Sequence, residues 1–236
     1  GAAQSPETPV SALPMLTPTE REQLIAGWHE PSTVEARHET EVALFAAQAA
    51  RTPDAPAVVC GDDVLTYADV RRAASRLAHR LQTQHGVRPG ARVGLSVERS
   101  AAMVPALLGI LATGAAYVPL DPAYPTDRLA FMREDAGVSA IVKAPRSSSA
   151  FEGSGVALVD VDEPDASGAD TSEAPFDASA PDAFAYVMYT SGSMGTPKGV
   201  AVTHRTLSEH CQDVQRVYAL TPADRVLQFA SLTFDP

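Results

Sequence analysis

Short apolar runs of strand length alternate with longer segments of helical periodicity over most of this chain. Runs typical of strands cover residues 57–60, 64–67, 92–97, 115–120, 139–143, 156–161 and 183–190. Apolar residues at helical spacing cover 39–51, 70–81, 100–113 and 126–136. Parallel strands need a crossover connection, usually a helix, so this alternation is typical of an α/β domain. We predict an α/β fold with a mixed, largely parallel sheet flanked by helices.

A stretch rich in glycine and hydroxyl groups, residues 190–199, follows the last of these predicted strands. Its three glycines let the backbone turn sharply and approach a ligand closely. Consecutive backbone N–H groups can form an anion-binding nest, hydroxyls add donors, and a lysine adds a point charge. The sequence therefore predicts a loop that wraps a polyphosphate, formed by Thr190, Ser191, Gly192, Ser193, Gly195, Thr196, Lys198 and Gly199.

The same stretch also has a purely structural interpretation, that of a flexible Gly/Ser turn. Here, however, it joins a buried-type strand to a second apolar run, residues 200–202, which favours a binding loop. The Walker pattern is not met, because Lys198 follows Pro197 and precedes Gly199. A G-x-G-x-x-G fingerprint is absent as well. These differences disfavour an ordinary P-loop NTPase and a Rossmann dehydrogenase.

The charge of the chain is concentrated in one segment. The net charge is −11, and residues 151–182 hold nine acidic residues with no Lys or Arg. We interpret this segment as a solvated surface excursion, and the acidity disfavours nucleic acid and anionic membranes as partners.

Residues 100–120 carry no charge, but Pro and Gly interrupt them, so we predict a buried helix and strand there. The N-terminal residues lack the pattern of a signal peptide, and we expect a soluble, cytoplasmic protein.

The two cysteines, Cys60 and Cys211, fit neither a metal site nor a small disulfide scaffold. Cys60 ends a Val-rich run typical of a strand and Cys211 lies in a helical pattern, which predicts buried free thiols. Near the N-terminus, Thr17 and Glu20 frame a predicted capping box that starts a short helix carrying Leu24 and, further on, Trp28.

Four ordered motifs resemble one family. Residues 185–199 resemble the phosphate loop of the adenylate-forming superfamily, which includes acyl-CoA ligases, luciferases and nonribosomal peptide synthetase adenylation domains. Residues 65–70 resemble the first core motif of adenylation domains, residues 111–122 the second, and Phe234 with Asp235 the start of the fourth. Residues 13–38 resemble the linker that follows a condensation domain. The resemblance implies an inter-domain linker over 1–38 and the first part of the large N-terminal core over 39–236, which is incomplete.

The resemblance implies a two-step reaction. An amino acid carboxylate attacks the α-phosphate of ATP, with Mg²⁺ neutralising charge, and the acyl group then passes to a phosphopantetheine thiol on a carrier domain. By resemblance, the loop 190–199 holds the β- and γ-phosphates and Asp235 pairs with the substrate ammonium. Phe234 either borders the substrate pocket or merely packs. An upstream condensation domain, a downstream carrier domain and an MbtH-like protein are the implied partners.

Two features qualify this assignment. Met194 stands where the family loop usually has Thr, which implies weaker nucleotide binding without loss of activity. The family's catalytic lysine and most of its substrate pocket would follow residue 236, so we expect no catalytic residue in this chain and no activity from it alone. No metal ligands are assigned. The alternatives are a fragment of an acyl- or aryl-acid ligase, which has no ammonium for Asp235 to bind, and a non-catalytic docking or structural piece.

Several further polar and aromatic residues have a structural and a functional interpretation. We expect Tyr67 and Tyr117 to pack in the core and Asp121 to lie in a turn or cap. His204 follows the apolar run after the loop, where it either approaches the nucleotide or caps the next helix.

Overall fold

The computed structural model describes residues 7, 9, 11, 15–27, 39–144, 150–163, 177–191 and 196–234. The chain divides into two units, Gly1–Arg37 and His38–Pro236. In the first, helix α1 (Pro18–Glu22) begins with the predicted capping box between Thr17 and Glu20 and continues as a π-helical turn, Gln23–Gly27. Trp28 lies outside the described residues.

The second unit contains a two-stranded and a six-stranded sheet. Strands β1 (Pro56–Cys60) and β2 (Asp63–Thr66) pair antiparallel. The larger sheet has the order β6-β5-β3-β4-β7-β8. Its strands are β3 (Arg92–Ser96), β4 (Ala116–Pro119), β5 (Ala140–Lys143), β6 (Ala157–Asp160), β7 (Phe184–Thr190) and β8 (Lys198–Thr203). All neighbours are parallel except β8, which runs antiparallel to β7. The predicted mixed, largely parallel sheet is confirmed.

Five helices accompany the sheets in the described part of this unit. They are α2 (Glu41–Arg51), α3 (Tyr67–Thr83), α4 (Met103–Ala112), α5 (Thr126–Asp135) and α6 (His204–Val217). The uncharged stretch 100–120 forms the buried helix α4 and the buried strand β4, as predicted. Among the described residues, no helix has the length and apolar character needed to cross a membrane.

The helices lie on both faces of the larger sheet, because successive side chains of a strand point to opposite faces. Val93 and Leu95 of β3 pack in one apolar cluster with residues of α3 and α4. Val118 of β4 and Ile141 of β5 pack in a second cluster with Leu129 of α5. The sheet is therefore covered on each side by a separate core.

The order of the strands creates a crevice between β3 and β4. The chain leaves β3 through α4 and returns beside it as β4, then leaves β4 through α5 and returns on the other side of β3 as β5. The connections after β3 and β4 thus diverge to opposite faces. Ligands of open α/β sheets bind at such a switch point, outside the carboxyl ends of the strands. We call this side of the sheet the carboxyl edge.

Helix α3 begins with a capping box whose loss has a measurable effect. The Asp69 backbone N–H donates to Thr66 Oγ1 (3.1 Å), and Asp69 Oδ2 accepts from the Thr66 hydroxyl (2.7 Å) and backbone N–H (3.1 Å). The bond from the Thr66 hydroxyl, then that from its backbone, lowers the pKa of Asp69. A lowered pKa stabilises the fold above the ordinary carboxyl pKa, and this stability is lost as pH falls through the lowered value.

We expect Thr66→Ala to lower the free energy of unfolding at neutral pH by about 1 kcal/mol, because an N-cap is lost. Its acid dependence should shrink, since Asp69 loses its hydroxyl donor. Urea denaturation of the chain between acid and neutral pH measures both. The matched control is Thr83→Ala at the last residue of α3, whose hydroxyl donates to His79 O (2.7 Å) within the same helix. Equal losses in the two variants would contradict the capping role.

The prediction of buried thiols is only partly right. Both cysteines are free, but Cys211 is exposed and Cys60 is half-buried. Cys211 lies on α6, whose described buried residues are His204 and Ser208. The helical pattern around Cys211 is therefore a poor guide to burial, because α6 buries only one narrow face. No cluster of metal-binding side chains occurs in the described part of the chain.

Candidate functional site

The predicted phosphate loop connects β7 and β8 and lies at the carboxyl edge. The two strands form a hairpin in which Thr190 pairs with Lys198 and Tyr189 with Gly199. Gly192, Ser193 and Gly195, together with Met194, lie outside the described residues. The remaining predicted loop residues surround the end of the hairpin and are all exposed, namely Thr190, Ser191, Thr196, Lys198 and Gly199. The structure thus brings hydroxyl groups and one ammonium group together at the exposed ends of the two strands.

Lys198 differs from the other lysine of the chain. Lys143 is mostly buried and pairs with Asp160 at 3.3 Å. Lys198 is exposed, and the described residues offer it no ion pair. Its charge is therefore available to an anionic ligand at the turn.

A buried tyrosine supports the base of the hairpin. Tyr189 is 6% exposed, and its hydroxyl donates to Asp135 Oδ2 at 2.6 Å. Phe131 of the same helix lies edge-on to the ring, with the centroids 6.3 Å apart. Burial, followed by the bond to Asp135, raises the pKa of Tyr189 above its usual value, so the phenol stays a proton donor. Tyr189 lies within the motif 185–199, but its local sequence indicates no role for it.

Gly199 serves a purpose that the sequence did not reveal. Its φ lies outside the left-handed region, so the backbone does not require glycine for its conformation there. A Cβ at this position would lie 3.3 Å from Tyr189 Cζ and 3.1 Å from Val187 Cγ1. Contacts this tight force a neighbour to move, so Gly199 leaves room for the Tyr189 ring.

The crevice at the switch point between β3 and β4 has a volume of about 400 Å³. Arg99 and Asp121 stand at its rim after the two strands, and residues 230–233 form another wall. Arg99 donates to Phe229 O (2.7 Å) and the Tyr124 hydroxyl to Thr233 Oγ1 (3.0 Å), which attaches this wall to the sheet. No pattern in the sequence indicates a role for Arg99 or Tyr124, because their place at the crevice follows from the strand order.

The predicted amino-acid contacts follow this wall directly. Phe234 is 62% exposed and its N–H donates to Ser231 O at 3.1 Å, while Asp235 lies outside the described residues. The preceding segment also exposes large apolar side chains: Val226, Leu227 and Phe229 are each about 80% exposed. Such a strip is typical of a surface that another part of a protein covers.

The remaining residues singled out in the sequence are structural. Tyr117 is buried against Tyr186, with ring centroids 5.5 Å apart, as expected. Asp121 lies in a turn, where Oδ1 accepts from the Ala123 N–H (2.9 Å), also as expected. Tyr67 is half-buried and its ring packs against that of Phe45.

His204 fits neither of its expected roles. It is the first residue of α6, but the helix is capped by Thr203, whose side chain accepts from the Thr206 N–H. His204 is fully buried, and its Nδ1 lies 2.6 Å from Glu41 Oε1 of α2. It therefore links two helices inside the core, where a nucleotide has no access.

Comparisons with known proteins agree with this geometry. A sequence family described as AMP-binding enzyme matches residues 45–236. One of the subunits of linear gramicidin synthase from Brevibacillus parabrevis is 40% identical over 236 residues, which is 100% of this chain and 3% of that protein.

Two solved structures of the nonribosomal peptide synthetase FmoA3 resemble the chain. The AMPPNP-bound form is 37% identical with a TM-score of 0.80, over 91% of this chain and 22% of that one. The form bound to alpha-methyl-L-serine-AMP is 40% identical with a TM-score of 0.75, over 83% of this chain and 22% of that one. The chain thus spans only a small part of the length of these relatives.

Proposed function

The chain belongs to the AMP-binding enzyme family, and from this premise we propose that it contributes the phosphate-binding part of an amino-acid adenylation domain. The α/β core expected from the resemblance to adenylate-forming enzymes is the fold observed. In the proposed reaction a larger synthetase uses ATP to convert an amino acid to an aminoacyl adenylate. The acyl group then forms a thioester on a carrier protein.

The observation that carries this proposal is the β7–β8 hairpin. At the carboxyl edge of a parallel sheet, where α/β proteins bind their ligands, it presents several hydroxyls and an ammonium group that has no ion pair among the described residues. Lys198, Thr190 and Thr196 suit the β- and γ-phosphates of ATP, because ammonium and hydroxyl groups donate to phosphate oxygens. Mg²⁺ would enter with the nucleotide and neutralise part of its charge.

The role of these groups in the first step is to stabilise a leaving group. A carboxylate oxygen of the amino acid attacks the α-phosphorus, and the bond to the bridging oxygen breaks to release pyrophosphate. Negative charge grows on the phosphates that leave. Donors already held in place around those phosphates lower the barrier without reorganising during the reaction. The hairpin therefore acts on the departing pyrophosphate, while other groups orient the carboxylate.

The crevice between β3 and β4 suits the second step. The carrier-bound phosphopantetheine thiol must reach the acyl carbon, displace AMP and form the thioester. The crevice opens at the same edge as the hairpin, and its wall 230–233 leads directly to Phe234 and Asp235. We assign Asp235 to the substrate ammonium and Phe234 to the pocket border. The crevice would then admit the pantetheine arm beside the bound amino acid.

The exposed apolar strip supports a larger assembly. Val226, Leu227 and Phe229 need a covering partner, and the relatives are many times longer than this chain. We propose that a further part of the same synthetase covers the strip, and that residues 1–38 connect an upstream condensation domain to the core 39–236. A carrier domain downstream and an MbtH-like protein complete the proposed partners. The ATP requirement favours the cytoplasm as the compartment.

Two alternative functions are separable by experiment. An acyl- or aryl-acid ligase would share the hairpin, but its substrate has no ammonium for Asp235. A non-catalytic docking piece would need neither ATP nor an amino acid. Exchange of pyrophosphate into ATP that depends on an amino acid distinguishes all three.

We expect the synthetase module that contains this chain to catalyse exchange between pyrophosphate and ATP with at least one amino acid. Asp235→Ala should abolish the exchange with amino acids, because it removes the partner of the substrate ammonium. An acid ligase would instead catalyse the exchange equally well with the corresponding acid that lacks the amino group. The 236-residue chain by itself should give no exchange, because the hairpin supplies only the phosphate contacts. Exchange by the isolated chain, or none by the module with any amino acid, would refute the respective part of the proposal.

A further inference from the structure

Helix α5 holds the end of strand β7 directly before the phosphate loop. Tyr189 is the last residue of β7 but one, and its buried ring meets α5 at two points. The hydroxyl donates to Asp135 Oδ2 at 2.6 Å, and the ring packs edge-on against Phe131, one helical turn earlier. A hydrogen bond to a carboxylate is stronger than one between neutral groups. The strand end is thus fixed by an apolar and a charged contact together.

The same ring also lies against strand β8. Tyr189 is the cross-strand partner of Gly199, and a Cβ at Gly199 would lie 3.3 Å from Tyr189 Cζ, a tight contact that the ring would have to relieve by moving. Glycine at this position lets the ring stay beside both strands and still reach Asp135. The next pair along the hairpin is Thr190 with Lys198. The two proposed phosphate contacts therefore stand one residue beyond the ring on each strand.

We propose that Tyr189, anchored by Asp135 and accommodated by Gly199, is a positioning residue that preorganises the hairpin for the phosphates of ATP. The inference rests on the proposed function, because it assumes that Thr190 and Lys198 bind those phosphates. A loop that is already ordered loses less conformational freedom on binding and so binds more tightly. Release of the anchor should weaken ATP binding and leave the amino acid site unchanged.

The test uses the intact synthetase module in the pyrophosphate exchange assay. Tyr189→Phe keeps the ring and removes only the hydroxyl, and we expect a rise in KM for ATP of roughly three- to tenfold. The KM for the amino acid should stay within about twofold, since the anchor does not touch the amino acid. Asp135→Ala should reproduce the effect, and Asp135→Asn, which keeps an oxygen acceptor, should restore most of the affinity. The double variant Tyr189→Phe/Asp135→Ala should be no worse than either single variant, because one bond is lost in all three.

The matched control is Tyr186→Phe, which removes the hydroxyl of a buried tyrosine three residues earlier in the same strand, whose ring packs in the apolar cluster on the opposite face of the sheet. We expect it to keep the KM for ATP. An unchanged KM for ATP in Tyr189→Phe and Asp135→Ala would overturn the inference, as would equal rises in the KM for ATP and the amino acid. An equal effect of Tyr186→Phe would overturn it too. A wild-type module without exchange activity would instead refute the proposed function itself.

Discussion

Replacement of Lys198 by alanine is expected to lower kcat/KM for ATP by about a hundredfold in the exchange assay, the effect of removing one preorganised donor to developing charge. Lys198 stands at the first position of β8, opposite Thr190, and is exposed without an ion partner among the described residues. No carboxylate in the described part of the chain therefore offsets its charge. Most of the loss should appear in the catalytic step, because the phosphates gain charge as pyrophosphate leaves.

Two further variants test whether this effect belongs to the site. Lys198→Arg keeps the charge but spreads it over a planar group, and we expect a loss of roughly tenfold. Lys143→Ala removes the only other lysine of the sequence, which pairs with Asp160 in the sheet. This variant should change kcat/KM for ATP by no more than about twofold, because the Lys143 ammonium already forms an ion pair with Asp160. A Lys198→Ala enzyme with unchanged kcat/KM would remove Lys198 from the phosphate site.

The fold could be predicted from the sequence to within a few residues at most elements. The uncharged stretch 100–120 illustrates why: its apolar residues are continuous, and Gly and Pro divide it into helix and strand lengths. The order of the strands could not be predicted, since β4, β5 and β7 have similar buried patterns. The switch point and its crevice follow from that order. They became visible only in the structure.

The position of the loop between two strands could be predicted, but the residues that support the strand ends could not. Glycines, hydroxyls and a lysine in one stretch, between a strand pattern and a second apolar run, predict a phosphate loop. The contact between Tyr189 and Asp135 joins residues 54 positions apart, and no local pattern reports it. Gly199 shows the same limit, because the sequence assigns it to the phosphate loop, whereas the structure also needs space there for the Tyr189 ring. Both roles expected of His204 are wrong for a similar reason, because its partner Glu41 lies 163 positions away in the sequence.

Gly114→Ala is expected to lower the free energy of unfolding of the chain by about 3 kcal/mol, through backbone strain and overpacking together. Gly114 follows the C-terminal end of α4 with a φ of +77°, the left-handed conformation with which helices often end at glycine. A Cβ here would lie 2.6 Å from Ala178 O and 3.0 Å from Pro89 Cβ. The carbonyl cannot retreat easily, because the Ala178 N–H donates to Ala112 O at 3.0 Å.

Gly90 provides a control that separates strain from crowding. Its φ of +82° is similar, but a Cβ there would meet no atom within 4 Å. Gly90→Ala should therefore lose only about 1 kcal/mol, the strain contribution. Its N–H can still donate to Gly114 O, at 2.8 Å in the structure. Urea denaturation of both variants gives the difference directly. Equal losses would mean that the Gly114 surroundings relax around a methyl group, and the segment around Ala178 would then be less firmly attached to α4 than its backbone hydrogen bond indicates.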